Sequence, residues 1–149
     1  MLVGKYIICT VCVGGDWAAI GHDGAFGWVG TSLYCACVLG HIFSPYLHFH
    51  GGKGISVGLG AGLGMYWPIA LGMLAVFLLL VIPTRYVSLG SVAAAISLPI
   101  QGVLWRMSLQ TLIPLVIISI AVVWAHRENI GRLVRGEEHR FSLGKGGKR

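Results

Sequence analysis

Apolar runs dominate this sequence, and they are long enough to cross a lipid bilayer as helices. A spanning helix needs about 20 consecutive, mostly apolar residues. Apolar side chains make up 56% of the 149 residues and charged ones only 11%, whereas a soluble domain carries about 25% charged residues. The mean hydropathy is +0.80. These values predict an all-α, polytopic integral membrane protein, and they exclude soluble enzymes, coiled coils and disulfide scaffolds.

The apolar runs predict about six transmembrane segments, one of them short. The run 55–82 is too long for one level span, and Tyr66, Trp67 and Pro68 lie in its middle. Because proline breaks the helical hydrogen-bond ladder, we expect a short, glycine-rich helix to about Met65 and a longer one from Trp67. Residues 1–149 then form a single membrane-embedded helical bundle, with segments Leu2–Ile20, Phe26–Leu47, Ile55–Met65, Trp67–Ile82, Val87–Leu104 and Leu109–Ala125.

Positive charge is concentrated at the C-terminal end. Residues 126–149 contain seven of the 11 lysines and arginines, against three glutamates. The positive-inside bias places such a tail on the cytoplasmic face of a cell membrane, where it would also meet anionic membrane lipids. Counting back through the segments puts the polar stretches 48–54, 85–88 and 126–132 on that same face. The positive charge is not accompanied by a nucleic-acid-binding motif, so we expect no nucleic-acid partner.

The four cysteines predict neither a metal site nor a cofactor site. Cys9 and Cys12 form one pair and Cys35 and Cys37 another, each inside an apolar run without nearby histidine or carboxylate residues. A zinc site needs such additional ligands. We therefore expect small buried thiols, no metal and no cofactor.

Residues 51–54 read Gly-Gly-Lys-Gly and are the first candidate for anion binding. Glycines around a lysine let backbone N–H groups and the ammonium approach a phosphate closely. The segment is not a nucleotide P-loop, because Ile55 stands where that pattern needs serine or threonine. An equally good interpretation is a flexible interfacial turn whose Lys53 side chain extends toward the lipid headgroups.

Two further clusters contain groups suited to acyl or proton transfer. Ser88 follows Arg85 at the start of a span; alone, this pair fits a helix cap and an interfacial anchor. His126 and Asn129 are three residues apart, so on a helix that continues out of the last span they face the same side. An imidazole can move a proton near neutral pH and an amide can orient a hydroxyl. The alternative is an amphipathic surface helix with solvated charges.

The three clusters, in this order and spacing, resemble the bacterial acyl-phosphate:glycerol-3-phosphate acyltransferase family. The matching residues are GHIF at 40–43, FHGGKG at 49–54, RYVSLGS at 85–91 and HRENIGRLVRGEEHRF at 126–141. The last match is long and specific, and the resemblance covers about residues 30–142. It implies a membrane bundle of seven spans with its motifs on the cytoplasmic face.

The resemblance implies a reaction, two substrates and a set of site residues. An acyl group would pass from a fatty acyl phosphate to the sn-1 hydroxyl of glycerol 3-phosphate, giving lysophosphatidic acid and phosphate, the first step of bacterial phospholipid synthesis. The enzyme would work as a monomer in the bacterial cell membrane. The phosphate-binding residues would be Gly51, Gly52, Lys53, Gly54 and Arg132. Ser88 would hydrogen-bond the substrate, and His126 and Asn129 would position or deprotonate the attacking hydroxyl. The proton acceptor would be either His126 or the substrate phosphate.

The resemblance also predicts what this chain lacks. The family's first motif, a Gly-Ser-Gly-Asn-x-Gly-Ala-Thr-Asn loop, and the span before it have no match here, so we expect a chain without the first span and first motif. Two alternatives stay open. One is an inactive remnant that binds lipids or partners in the membrane; the other is a small anion transporter that uses Lys53 and Arg85.

Overall fold

The computed structural model describes residues 25–48 and 51–141, and every regular element in this part of the chain is helical. We number the α-helices in chain order. They are α1 (Ala25–Ile42), α2 (Ile55–Met65), α3 (Trp67–Thr84), α4 (Val87–Leu104), α5 (Leu109–Ala125) and α6 (Arg127–Val134), with a 3₁₀ helix at Pro45–Leu47 between α1 and α2. The all-α prediction is confirmed.

The predicted segment bounds agree closely with these helices. The bounds of α2, α4 and α5 are the predicted ones, and α3 continues two residues further, to Thr84. The predicted segment Leu2–Ile20 lies outside the described residues. By length and composition, α3 and α4 can each cross a membrane, and α5 with α6 adds a third crossing if their 57° bend is treated as a break within one span.

The predicted segment Phe26–Leu47 is wrong at its end, because α1 stops at Ile42. Ser44 has an extended backbone, with φ −61° and ψ 117°, and Pro45 then starts the 3₁₀ helix. A residue before proline is pushed out of the helical region by the proline ring. The proline therefore divides one long apolar run into a helix and a turn.

The prediction of buried thiols is wrong for Cys37, which is exposed on the surface of α1. Cys35 is half-buried, and its thiol lies 3.7 Å from the carbonyl oxygen of Pro114 on α5. Residues two positions apart on a helix do not share a face, so the two thiols cannot both point inward. Cys9 and Cys12 lie outside the described residues.

Helix α4 lies at the centre of the bundle, between α3 and α5, while α1 packs against α2 and α5. Small residues on α4 allow close approach, as is usual between membrane helices. The buried apolar core is formed by Tyr34, Val38, Ile69, Met73, Ala94, Ala95, Leu98, Leu115, Ile118 and Val122. Large apolar side chains such as Leu79 and Ile120 face outward, as expected for helices in contact with lipid.

Successive helices run in alternating directions, and this brings five helix ends together. The C-terminal ends of α1, α3 and α5 lie with the N-terminal ends of α2 and α4. The break at Tyr66, whose N–H group bonds the Gly62 carbonyl at 2.6 Å, turns the chain back after the short helix α2. The described parts of the polar stretches 48–54, 85–88 and 126–132 therefore lie at one end of the bundle.

Gly90 provides a test of the contact between α3 and α4. A Cβ atom at Gly90 would lie 2.4 Å from a methyl group of Val81 and 3.0 Å from the Phe77 carbonyl oxygen. We expect Gly90→Ala to lower the free energy of unfolding by about 1–3 kcal/mol through overpacking. Gly60→Ala is the matched control, because no atom lies within 4 Å of the added Cβ. Thermal unfolding in detergent measures both, and equal melting temperatures would contradict this packing.

Candidate functional site

A cavity of about 420 Å³ opens where the helix ends meet. Its polar wall contains Lys53, Ser88 and His126, one residue from each of the three clusters singled out in the sequence. Its apolar wall reaches deeper between α2, α3 and α4. The apolar residues that line it are Ile55, Leu59, Met73, Leu74, Phe77, Val87 and Ala94.

The glycine-rich segment is held against the end of α1 by His41. The Gly52 N–H group donates a hydrogen bond to the His41 carbonyl oxygen at 3.2 Å. A Cβ atom would lie 2.0 Å from that oxygen at Gly51, and 2.2 Å from Nε2 of the His41 ring at Gly52. Both positions therefore require glycine for close packing, and neither lines the cavity directly.

Lys53 and Gly54 lie at the cavity and lead into α2. Gly54 has a positive φ of 78° and caps the helix, a conformation that glycine adopts without strain. The first N–H groups of α2 lack partners within the helix and carry its partial positive charge. The exposed Lys53 side chain makes no ion pair with any described residue. An anion at this end of the cavity would meet both sources of positive charge.

Ser88 is placed by the turn between α3 and α4. Arg85 ends α3 in the left-handed conformation, with φ 61°, and α4 begins two residues later at Val87. Ser88 therefore lies in the first turn of α4, where it is 8% exposed.

His126 lies at the bend between α5 and α6 and is 2% exposed. Its Nδ1 atom is 2.8 Å from the Val122 carbonyl oxygen. Because a carbonyl can only accept, Nδ1 carries the proton, and Nε2 of the neutral ring keeps a lone pair. Burial lowers the pKa of His126 below its usual value. The ring is therefore a neutral proton acceptor at physiological pH.

Glu138 connects Ser88 to the third cluster. The Asn129 amide donates to Ser88 Oγ at 2.8 Å and to Glu138 Oε1 at 2.7 Å. The Ser88 hydroxyl donates to the same Oε1 atom, and Arg132 Nε donates to Oε2 at 2.8 Å. The hydrogen bonds from Ser88, Asn129 and Arg132 lower the pKa of Glu138 to about 2.

The segment that carries Glu138 folds back onto the α3–α4 turn. Gly136 turns the chain with a positive φ of 72°. The Phe141 N–H group then bonds the Arg85 carbonyl oxygen at 2.7 Å, and Arg140 Nε donates to the Tyr86 hydroxyl at 3.0 Å. These contacts fix the segment that carries Glu138 against the α3–α4 turn.

The structure brings the predicted site residues together: some line the cavity, and the others contact those that do. Lys53, Gly54, Ser88 and His126 line the cavity. Asn129 bonds Ser88 directly, and Arg132 is linked to Ser88 through Glu138. Gly51 and Gly52 support the loop that holds Lys53. Across residues 25–48 and 51–141, no group of three or more histidine, cysteine, aspartate or glutamate side chains is arranged to hold a metal ion.

Sequence reasoning missed His41 and Glu138. Both lie inside the matched motifs, at the start of the first and near the end of the last. His41 bonds Gly52, which is 11 residues away in the chain, and Glu138 bonds Ser88, which is 50 residues away. Glu138 could have been suspected because it is a carboxylate inside a strongly basic segment.

Comparison with known proteins identifies the family. The family profile described as glycerol-3-phosphate acyltransferase matches residues 3–136, which is most of the chain. The chain belongs to the glycerol-3-phosphate acyltransferase family.

Two members of this family illustrate the extent of the match. A glycerol-3-phosphate acyltransferase of Trichlorobacter lovleyi is 44% identical over 114 residues, which are 76% of this chain and 57% of the relative. That of Gloeobacter violaceus is 38% identical over 118 residues, covering 79% and 58%. The chain thus spans somewhat more than half the length of these glycerol-3-phosphate acyltransferases.

Two crystal structures of PlsY (YgiH), an integral membrane glycerol 3-phosphate acyltransferase, share the fold. The lysophosphatidic acid form has a TM-score of 0.76 and 30% identity, covering 95% of this chain and 66% of that one. The glycerol 3-phosphate form has a TM-score of 0.75 and 33% identity, covering 95% and 67%. The chain is therefore an integral membrane protein with the fold of this acyltransferase family.

The Glu138 cluster provides a test based on pH. The folded pKa of about 2 lies below the ordinary glutamate value of about 4.3. The carboxylate therefore stabilises the fold above about pH 4.3, and this contribution is lost as the pH falls toward 2. We expect Glu138→Gln to lower the melting temperature at pH 7 and to flatten its decline between pH 4.5 and 2.

Glu137→Gln is the control for this experiment, because Glu137 is exposed and its ion pair within the described residues is with the exposed Arg135, at 2.7 Å. Exposed pairs contribute about 0–1 kcal/mol. Thermal unfolding at a series of pH values compares the two variants. Identical pH profiles for Glu138→Gln and the unsubstituted chain would contradict the assignment.

Proposed function

We propose that this chain transfers a fatty acyl group from an acyl phosphate to the sn-1 hydroxyl of glycerol 3-phosphate, releasing lysophosphatidic acid and phosphate. One observation carries the proposal: three side chains meet at the mouth of one apolar cavity. They are Lys53, which forms no ion pair with a described residue, the buried His126 ring, and Ser88, which is hydrogen-bonded to Glu138 and Asn129. Family membership supports the same reaction, and the name and ligand of the PlsY glycerol 3-phosphate form point to the same acceptor.

Phosphate groups of the substrates bind at the cavity mouth. Lys53 supplies a full positive charge, and Gly54 with the first N–H groups of α2 supplies the donors that favour an anion at a helix N-terminus. Gly51 and Gly52 keep this loop close to α1. Arg132 is a further phosphate partner, because its bond to Glu138 uses one of five guanidinium N–H groups.

The acyl chain occupies the apolar wall between α2, α3 and α4. Leu59, Met73, Leu74 and Phe77 offer no polar group to the chain, and burial of each methylene contributes about 0.8 kcal/mol. A donor with a phosphate at one end and an alkyl chain at the other matches this division between polar mouth and apolar interior.

His126 acts as the general base. Its Nε2 atom accepts the proton of the glycerol 3-phosphate hydroxyl while the hydroxyl oxygen attacks the acyl carbonyl carbon. Ser88 orients the substrate: its own proton points to Glu138 and Asn129 donates to its oxygen, so its remaining lone pair accepts a hydrogen bond from the second, non-reacting hydroxyl of glycerol 3-phosphate. Asn129 acts by positioning Ser88.

The reaction is a direct transfer. A new carbon–oxygen bond forms to glycerol 3-phosphate, and the bond from the carbonyl carbon to the phosphate oxygen breaks. The proton held by His126 then passes to the departing phosphate or to water. An acyl phosphate is already activated, so correct placement beside the hydroxyl supplies most of the catalysis without an acyl-enzyme intermediate.

We place this chain in the bacterial cell membrane as a monomer, with its C-terminal end in the cytoplasm. The basic residues near that end, Arg127, Arg135 and Arg140, are exposed and suit contact with anionic lipid headgroups. The acyltransfer site then faces the cytoplasm.

Reporter fusions test this orientation. A fluorescent protein fused after Arg149 should fluoresce, since it would fold in the cytoplasm. Met107 follows the C-terminal end of α4, away from the cavity. Alkaline phosphatase fused after Met107 should be active, since it would be exported. The opposite pattern at the two positions would overturn the orientation.

Lys53 and His126 are expected to affect different kinetic parameters. Lys53→Ala should reduce kcat/KM for glycerol 3-phosphate about 10- to 100-fold, mainly through KM, because it removes a charged phosphate contact. His126→Ala should reduce kcat about 10²- to 10⁴-fold, as expected for loss of a general base. Phosphate release from palmitoyl phosphate by the purified chain in lipid measures both.

Arg106→Gln is the control for these variants, because Arg106 is an exposed cation at the far end of α4 and should leave both parameters unchanged. Full activity in Lys53→Ala and His126→Ala would refute the assigned roles. No activity in the unsubstituted chain would refute the proposed function and favour an inactive family member.

A further inference from the structure

Ser91 is a buried hydroxyl in the cavity wall that no step above uses. It lies on α4 three residues after Ser88, so the two side chains share a face of the helix, with Ser91 one turn deeper. Both line the cavity. Ser91 is only 4% exposed.

The Ser91 hydroxyl makes no hydrogen bond with any residue that the structure describes. Other hydroxyls of the bundle are bonded to backbone carbonyls: Ser97 to Ala94 and Ser119 to Ala95, each at 2.8 Å. Within the described residues, every fully buried side-chain nitrogen or oxygen atom has a partner, so Ser91 Oγ must be reachable from the cavity. Because burying an unpaired hydroxyl is unfavourable, a ligand in the cavity is expected to supply its partner.

The position of Ser91 matches one atom of an acyl phosphate. The phosphate binds at the mouth beside Lys53, and the alkyl chain extends past Met73 and Phe77. The carbonyl group of the acyl phosphate joins these two parts. It therefore lies at a depth between Ser88, on the first turn of α4, and Ala94, on the third turn. Ser91 is the polar residue on α4 at this intermediate depth.

Two neighbouring side-chain donors, those of Ser88 and His126, are already committed. The Ser88 proton points to Glu138, and the His126 Nδ1 proton points to the Val122 carbonyl. Neither can stabilise negative charge on the acyl carbonyl oxygen without breaking its present bond. The Ser91 proton has no such commitment.

We propose that Ser91 Oγ donates a hydrogen bond to the carbonyl oxygen of the acyl phosphate and to the oxyanion that forms there. This assignment rests on the proposed function. When the glycerol 3-phosphate oxygen attacks, the carbonyl π electrons move onto this oxygen. They re-form the carbonyl as the bond from carbon to the phosphate oxygen breaks, and phosphate leaves with the electron pair of that broken bond. Ser91 keeps its proton throughout, so it stabilises the intermediate without acting as an acid.

Three variants separate the hydroxyl from the space it fills. Ser91→Ala should lower kcat about 100-fold, since removal of one oxyanion donor reduces kcat by about 10²- to 10³-fold. Ser91→Thr keeps a hydroxyl and should retain kcat within about tenfold of the unsubstituted chain. Ser97→Ala, on the same helix but outside the cavity lining, is the matched control and should leave kcat unchanged. Wild-type kcat in Ser91→Ala, or equal losses in Ser91→Ala and Ser91→Thr, would overturn the proposal.

A binding measurement tests Ser91 independently of turnover. The probes are an acyl phosphonate, which keeps the carbonyl, and an alkyl phosphate of equal chain length, which lacks it. Ser91→Ala should weaken binding of the acyl phosphonate about fivefold, the size of one hydrogen bond, and leave the alkyl phosphate unaffected. Equal effects on the two ligands would refute the contact. If the unsubstituted chain shows no acyl transfer, the proposed function fails, while the difference between the two ligands still decides the role of Ser91.

Discussion

The carboxylate of Glu138 holds together parts of the chain that are distant in sequence. It accepts hydrogen bonds from Ser88 on α4 and from Asn129 and Arg132 on α6. Because its side chain is only 7% exposed, these bonds are poorly replaced by water. The bend after α5, the position of His126 and the orientation of Ser88 all depend on α6 being held against α4 at this point.

The order and direction of the helices bring the remaining residues of the cavity together. Antiparallel helices bring alternate ends to one side, and the break at Tyr66 lets the short helix α2 begin beside the cavity. The polar residues thereby lie at a helix-end surface, where backbone N–H groups are available and water and soluble substrates can enter. The apolar residues of the cavity lie deeper, between α2, α3 and α4. A reaction that joins a water-soluble acceptor to an alkyl-chain donor needs this arrangement.

The sequence predicted the helices well because apolar runs and their interruptions are local signals. Val87–Leu104 and Leu109–Ala125 are bounded by arginine and polar residues that end a span, and Tyr66 with Pro68 marks the break. The end of α1 was mispredicted because Ser44 and Pro45 stop the helix inside an apolar run. The basic segment around Glu138 makes this carboxylate conspicuous in the sequence, but its partners, like the position of Ser91 in the cavity wall, depend on contacts between segments that no local pattern encodes. The roles of Gly51 and Gly52 against His41 also depend on packing between segments.

If the cavity joins an acyl phosphate to glycerol 3-phosphate, as we propose, phosphate release must depend on the acceptor. The purified chain, reconstituted in lipid vesicles with palmitoyl phosphate, is assayed for phosphate and for lysophosphatidic acid, with and without glycerol 3-phosphate. We predict equal molar amounts of the two products, formed only when glycerol 3-phosphate is present. Phosphate release at the same rate without the acceptor, or no lysophosphatidic acid in its presence, would contradict the account.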